Sequence, residues 1–181
     1  MPRRIKIPRD KLLKQLFEKV QKIPYQVCQF DKNDYHLKEV VNTAIKQGDC
    51  RHKSRLLYNL LQQNIFDAEK IKVVFDWKDL PIPKEILGIL KSGTRWSHDS
   101  LKVKINERLW VDVDCTWNLE LGEKGFPVTE DWDGASHTKQ ITTGKLESYP
   151  AEDFKKEEHD IHIDKEEALA FADALNKWLK K

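Results

Sequence analysis

The feature that most constrains this chain is a run of alternating residues between Ser97 and Asp114. Leu101, Val103 and Ile105 alternate with polar residues, and Leu109, Val111 and Val113 do the same after Asn106-Glu-Arg108. Period-two alternation on both sides of a short polar turn predicts a β-hairpin with one buried face. Opposing Ile105 with Leu109 also opposes Val103 with Val111 and Leu101 with Val113, so all six share that face. The same register sets His98 opposite Thr116 on the other face, with Asp114 as its diagonal neighbour. Diagonal neighbours lie ~7–8 Å apart, close enough for long side chains to meet. Asp112 is one step further away, and Asp99 points to the opposite side. A three-residue hairpin loop usually carries glycine at its left-handed position, and Asn106 is only a partial substitute.

Helices precede this hairpin. Leu12, Leu13, Leu16, Phe17 and Val20 recur at helical spacing over Arg9 to Lys22, and Pro24 ends the segment. A second helix is predicted over Tyr35 to Lys46, closed by Gly48. A third follows from Cys50 to Gln63, with Asp49 as N-cap and Leu56, Leu57, Leu60 and Leu61 along it. Ile71 to Phe75 is expected to form a strand, Lys84 to Leu90 a short helix ending near Gly93, and Lys165 to Trp178 the last helix. Trp117 to Pro150 is turn-rich and polar. Helices first and strands later indicate an α+β fold. No linker divides the chain, so 1–181 is expected to be a single domain.

With 181 residues the chain is long enough to bury a core without disulfide staples. No stretch approaches the ~18 consecutive apolar residues of a membrane span. The net charge of +2 is too small to imply nucleic-acid binding. Three cysteines, Cys28, Cys50 and Cys115, cannot all pair with one another. No apolar region follows the basic Met1-Pro-Arg-Arg-Ile-Lys, so no signal peptide is expected and the expected setting is the reducing cytoplasm.

Three places carry potential chemistry. Gly48-Asp-Cys50-Arg-His-Lys-Ser54 puts a cysteine on the first turn of a helix. Partial positive charge and outward N–H groups concentrate there, which favours thiolate and suits a developing oxyanion. A buried structural cysteine is the competing reading. His98 opens the hairpin, and Asp112 and Asp114 close it. Together a nucleophile, a base and an acid that orients the base make up a generalised triad. Lys53, one helical turn after Cys50, either adds positive charge to the thiolate or is a plain exposed lysine. Trp96 and Trp117 flank the triad and are candidates for a substrate groove, with core packing the competing reading. Cys50, His52, Cys115 and His98 lack the paired spacing of structural zinc sites. His159-Asp-Ile-His162 lies in a charged run and is read as surface.

Gly48-Asp-Cys50 opening a helix, His98 opening a strand, and Trp110-Val-Asp-Val-Asp114-Cys-Thr116 closing the next strand resemble the transglutaminase-like superfamily. The resemblance covers roughly Leu37 to Trp117 and is to its compact microbial members. It implies a papain-like α+β core with the cysteine helix packed on an antiparallel sheet. It also implies Cys50 as nucleophile, His98 as base and Asp114 as orienting acid, acting on a carboxamide by acyl transfer to sulfur. Asp99-Ser100 stands where the family has Ala-Trp after the histidine, and Cys115 where it has proline. Both departures bear on the substrate branch rather than the triad. Gln26 and Gln29 lie upstream, as a papain-type oxyanion glutamine would, with ordinary surface glutamines as the alternative. The expected function is a cysteine-dependent enzyme on peptide or protein amides, hydrolytic more than cross-linking. The alternative is an inactive transglutaminase-like module that binds peptide or protein. No cofactor or metal is expected, and the partners are peptide or protein rather than nucleic acid or membrane.

Overall fold

The computed structural model describes residues 7–28 and 46–181. In chain order the elements are α1 (Arg9–Gln21), α2 (Cys50–Gln63), β1 (Ala68–Asp76), α3 (Lys84–Leu87), β2 (Arg95–Asn106), β3 (Leu109–Val113), β4 (Glu147–Pro150) and α4 (Lys165–Leu179). Single 3₁₀ turns occupy Trp77–Asp79, Leu119–Lys124 and Lys156–Glu158. The helix expected over Tyr35 to Lys46 lies outside the described residues, Lys46 apart. The fold is α+β, with an antiparallel four-stranded sheet in the order β3-β2-β1-β4.

Alternation along the strands assigns each sheet face its own layer of helix. Leu101 and Val103 of β2, with Val111 and Val113 of β3, meet Leu13, Phe17 and Val20 of α1 and Leu57 and Leu61 of α2. Ile71, Val73 and Phe75 of β1, with Trp96 of β2, meet Phe171, Ala172 and Leu175 of α4. Each fully buried Leu or Phe contributes roughly 1.5–3 kcal/mol relative to exposure, so the layer shared with α1 fixes where α2 sits on the sheet. Asp164 caps α4 by accepting from the backbone N–H groups of Glu166 and Glu167. The short helix α3 stops at Gly88, earlier than the Gly93 expected.

The hairpin register agrees with expectation where it matters. Leu101 pairs with Val113 and Val103 with Val111. The turn does not: Leu109 pairs with Asn106, and an irregularity between Lys104 and Asn106 takes up Ile105. The Asn106 side chain accepts from the Arg108 N–H at 3.0 Å. No residue from Asn106 to Arg108 has positive φ, so the turn needs no glycine. Because the slip lies at the closed end of the hairpin, the open end keeps the expected register. β4 is a strand within the stretch read as turns, added to β1 through Lys72 opposite Tyr149.

Lys53 joins the layers. Its side chain is 0% exposed, against the exposed alternative allowed by sequence. The ammonium donates to the carbonyls of Gln21 at 3.1 Å, Ile23 at 2.7 Å and Thr116 at 2.8 Å. It thus ties the end of α1 and the chain beyond β3 to the first turn of α2. Burial lowers its pKa to about 8, while the charges of Cys115, Asp114 and Glu120 pull the other way. At neutral pH it is an ammonium whose three protons are all used.

Replacing Lys53 by Met would leave those carbonyls unpaired, each costing ~1–3 kcal/mol. Loss of the buried charge offsets part of this, so Lys53→Met is expected to destabilise the fold by about 2–4 kcal/mol in urea unfolding. The pH dependence has a definite sign. The folded pKa, about 8, lies below the unfolded value. The unfolded chain therefore binds the extra proton, and this residue's contribution to stability rises between pH ~8 and ~10.4. That rise should be absent from the Met variant.

Candidate active site

The start of α2 is organised by Asp49. This N-cap carboxylate is buried and accepts from the Arg51 backbone N–H at 3.0 Å, the Arg51 guanidinium at 2.6 and 3.1 Å, His52 Nδ1 at 2.9 Å and the Cys28 N–H at 3.1 Å. Burial acts to raise its pKa, but the His52 and Arg51 hydrogen bonds and charges hold it well below the usual carboxylate range. The His52 and Lys53 N–H groups donate to the Asp49 carbonyl. Among the described residues, the Cys50 N–H is the one first-turn donor without a partner. It lies beside the half-buried Cys50 thiol, where an oxyanion formed at that sulfur would fall.

His98 is 1% exposed, and its Nε2 lies 2.8 Å from Asp114 Oδ2. The pairing comes from the open end of the hairpin. The β2–β3 ladder ends at Leu101–Val113, so Asp114 leaves the sheet free to turn toward the ring. Its other oxygen accepts from the Thr116 N–H at 3.0 Å. Asp114 N–H donates to Thr138 Oγ1 at 2.8 Å, and Thr138 N–H donates to the Asp112 carbonyl at 3.0 Å. Residues 137–138 thereby cover the outer edge of β3 and hold the carboxylate from behind.

With Nε2 committed to Asp114, Nδ1 is left for sulfur. The Cys50 side chain is near enough for its charge to act on the His98 ring. Burial alone would lower the imidazole pKa, but the Asp114 charge, the Cys50 charge and the hydrogen bonds to both outweigh it and raise it far above the ordinary histidine range. Asp114 shows the complement: burial acts to raise its pKa, and His98 and Thr116 bring it down. His98 is thus bonded to Asp114 through Nε2 and lies within electrostatic range of Cys50.

Other sequence candidates fall elsewhere. Asp112 faces His137, whose Nδ1 lies 3.2 Å from its Oδ2, and takes no part in the His98 contact. Trp96 and Trp117 are core rather than open groove wall, at 6% and 3% exposure. Trp96 packs on Trp77 and Phe171, and Trp117 on Tyr25 and Phe126, because the two aromatic layers close over them. Cys115 is buried, and burial pushes its thiol up to about 12. All three cysteines are unpaired. His159 stacks on Phe154, and His162 bonds Asp160 in solvent.

A possible metal cluster differs from the one weighed on spacing. Ligand atoms of Cys28, Asp49 and His52 lie within 4.8 Å of one another. Asp49 already receives five N–H contacts there, two of them from a guanidinium, so a cation would have to displace the helix cap. The group is better explained as the cap itself.

Tyr25 is a site residue that sequence reasoning missed. Tyr25 forms an isolated parallel bridge with Gly48, and Gln26 N–H donates to the Gly48 carbonyl at 3.2 Å. This lays 24–28 alongside the approach to Cys50. The Tyr25 ring sits 4.5 Å from that of Trp117. Burial, then the charges of Cys50 and Asp49, raise its phenol well above the ordinary range. Tyr25, Gln26, Gln47 and Asn118 line a cavity of about 430 Å³ between residues 24–26 and the end of α4. The only sequence signal was the glutamine upstream of the cysteine. Gln29 lies outside the described residues.

Among the described residues, no helix is long and apolar enough to cross a membrane. Comparison with protein-family models, curated proteins and solved structures finds no match.

His98 should remain imidazolium through neutral pH. Long-range ¹H–¹⁵N spectra of the wild type are expected to show both ring nitrogens protonated at pH 7. Asp114→Asn should bring the titration down into a range where the neutral ring is seen. The pair's stability contribution also has two sides. The His98 part is present below the unfolded pKa of ~6.5 and lost as pH rises through its raised folded value. The Asp114 part is present above ~3.9 and lost as pH falls through its lowered one.

Proposed function

We propose that the chain is a cysteine-dependent acyl-transfer enzyme of the transglutaminase-like, papain-type kind, acting on peptide or protein amides. The observation that carries this reading is the buried His98–Asp114 pair, with Nε2 on the carboxylate and a thiol at a helix start within electrostatic range of the ring. A histidine placed only for packing has no need of two such partners.

The chemistry follows from the placement. Cys50 Sγ attacks the amide carbon, and the C–S bond forms as the carbonyl electron pair moves to oxygen. The Cys50 N–H is positioned to bind that oxyanion. His98, protonated at Nδ1 by the thiol proton, passes the proton to the amide nitrogen as the C–N bond breaks and the amine leaves. Asp114 fixes the ring and stabilises imidazolium. Water then attacks the thioester, His98 accepts its proton, and the carboxylic acid leaves as the C–S bond breaks, restoring Cys50 thiolate beside His98 imidazolium. A primary amine in place of water would give transamidation. Hydrolysis requires no second binding site, which favours it here.

The test is a fluorogenic peptide-amide library assayed with and without a primary amine. Cys50→Ala is expected to abolish turnover. His98→Ala should lower it by about 10²–10⁴-fold, while Asp112→Asn leaves it nearly unchanged. Iodoacetamide labelling of Cys50 should slow in His98→Ala but not in Asp112→Asn. Turnover that survives Cys50→Ala would refute the assignment. Peptide binding without turnover in the wild type would favour the non-catalytic binding module.

A further inference from the structure

A second cavity, of about 250 Å³, lies between α2 and the strands β1 and β2. Arg51, Ser54, Arg55, Lys70, Lys72 and Asp99 line it. Its walls carry more positive than negative charge, and the excess can be located. Lys72 is matched by Asp99 at 2.7 Å. Arg51 is engaged by Asp49 and by the Cys28 carbonyl. Arg55 and Lys70 have no carboxylate partner among the described residues. The Lys70 ammonium lies 4.5 Å from the Tyr58 ring centroid, a contact that orients the charge without neutralising it. Two uncompensated cations therefore share a concave site with the Ser54 hydroxyl.

The position of this cavity ties it to the thiol. Ser54 is one helical turn beyond Cys50 on the same helix face, about 5–6 Å along the axis. Asp99 follows His98 in β2, so its side chain leaves the opposite face of the sheet, the one that α2 covers. An extended peptide advances ~3.3 Å per residue. A side chain entering the cavity would thus belong to a residue one or two positions from an amide held at Cys50. We propose that this cavity is a specificity subsite for a carboxylate side chain, Asp or Glu, flanking the reacting amide of a peptide substrate. The proposal rests on the acyl-transfer reading for its position but on the Arg55–Lys70 cavity for its chemistry. Arg55 supplies a planar fork suited to a carboxylate, and Lys70 a second positive charge. The Lys72–Asp99 pair closes the floor with no net charge, so a bound carboxylate meets attraction from two sides.

The test separates the two readings. Turnover of the wild-type chain is measured on paired fluorogenic peptide amides that differ only by Glu or Gln, and Asp or Asn, at each of the two positions on either side of the amide. Binding of the same uncleaved peptides, dye-labelled, to Cys50→Ala is followed by anisotropy at low and high salt. The expected result is at least a tenfold preference for the acidic member at one position, in both turnover and binding. The preference should weaken with salt. In Arg55→Glu and Lys70→Glu the acidic-to-neutral ratio should fall to one or below, and Arg55→Lys should restore part of it. Circular dichroism checks that these exposed and half-exposed sites tolerate the changes. Acidic preference in binding with no turnover would uphold the subsite and overturn the enzyme. Turnover with no acidic preference, or a preference unchanged in Arg55→Glu and Lys70→Glu, would overturn the subsite and leave the enzyme standing. Neither binding nor turnover would overturn both.

Discussion

The ammonium of Lys53 is the interaction on which the site depends. The hairpin alone brings His98 and Asp114 together, because His98 lies on β2 and Asp114 directly follows β3. It cannot bring Cys50, which arrives on a separate helix. Lys53 does so through Thr116, the residue that the register places level with His98. Cys50 precedes Lys53 by one turn on the same face, so a bond from Lys53 to that level carries the thiol toward the imidazole. The other two bonds fasten the same ammonium to the chain leaving α1. An apolar residue could fill the space, but it would set no height along β3. A point charge with three donors sets it in three directions.

The buried charges also compensate one another. Lys53 and the raised His98 imidazolium stand against Asp114 and Asp49, with Arg51 closing the outer side. An isolated charge at these depths would cost several kcal/mol. Here each is within range of an opposite charge or of several dipoles. Burial pulls the carboxylates toward protonation and the cations toward neutrality, and the partners reverse this for His98, Asp114 and Asp49. Lys53 is the exception, held by neutral carbonyls, and its pKa accordingly falls rather than rises.

Much of the fold could be read from residue patterns, since hairpin alternation and helical spacing are properties of side chains. The pairing of Leu101 with Val113 followed from apolar matching, and with it the choice of Asp114 over Asp112. Asp49 was legible as a cap because its chemistry is local. What escaped has a common cause: its partners are backbone atoms, which carry no sequence identity. Lys53 occupies an inward helix position, but its three acceptors are carbonyls of residues whose side chains say nothing about them. β4 pairs through Glu147-Ser-Tyr-Pro, which has no alternation to announce a strand. The Tyr25–Gly48 bridge joins two segments remote in sequence by main-chain contact. The slip at Ile105 was masked because Asn106 closes the turn with its own side chain. Trp96 and Trp117 were expected to line a groove, and both are buried in the core. Whether a large ring lines a groove or fills a core depends on the layer above it, and here that layer includes α4 and the Leu119–Lys124 turn.

The opening of α2 shows how one short segment can assign several roles without conflict. Asp49 lies outside the helix, so its carboxylate can collect N–H groups without entering the site. By taking the Arg51 N–H and leaving that of Cys50, the cap keeps one donor beside the thiol. Cys50, Lys53, Ser54 and Leu57 follow one helix face at spacings of three and four, which gives a thiol, a pin, a cavity hydroxyl and a core anchor in that order. Arg51 and Arg55, four apart, run along the neighbouring stripe and put positive charge against β1. Inserting a single residue after Cys50 would rotate the thiol by about 100° relative to Lys53. It would then face the wrong way even if every side chain were retained, so the spacing carries the function as much as the residue types do.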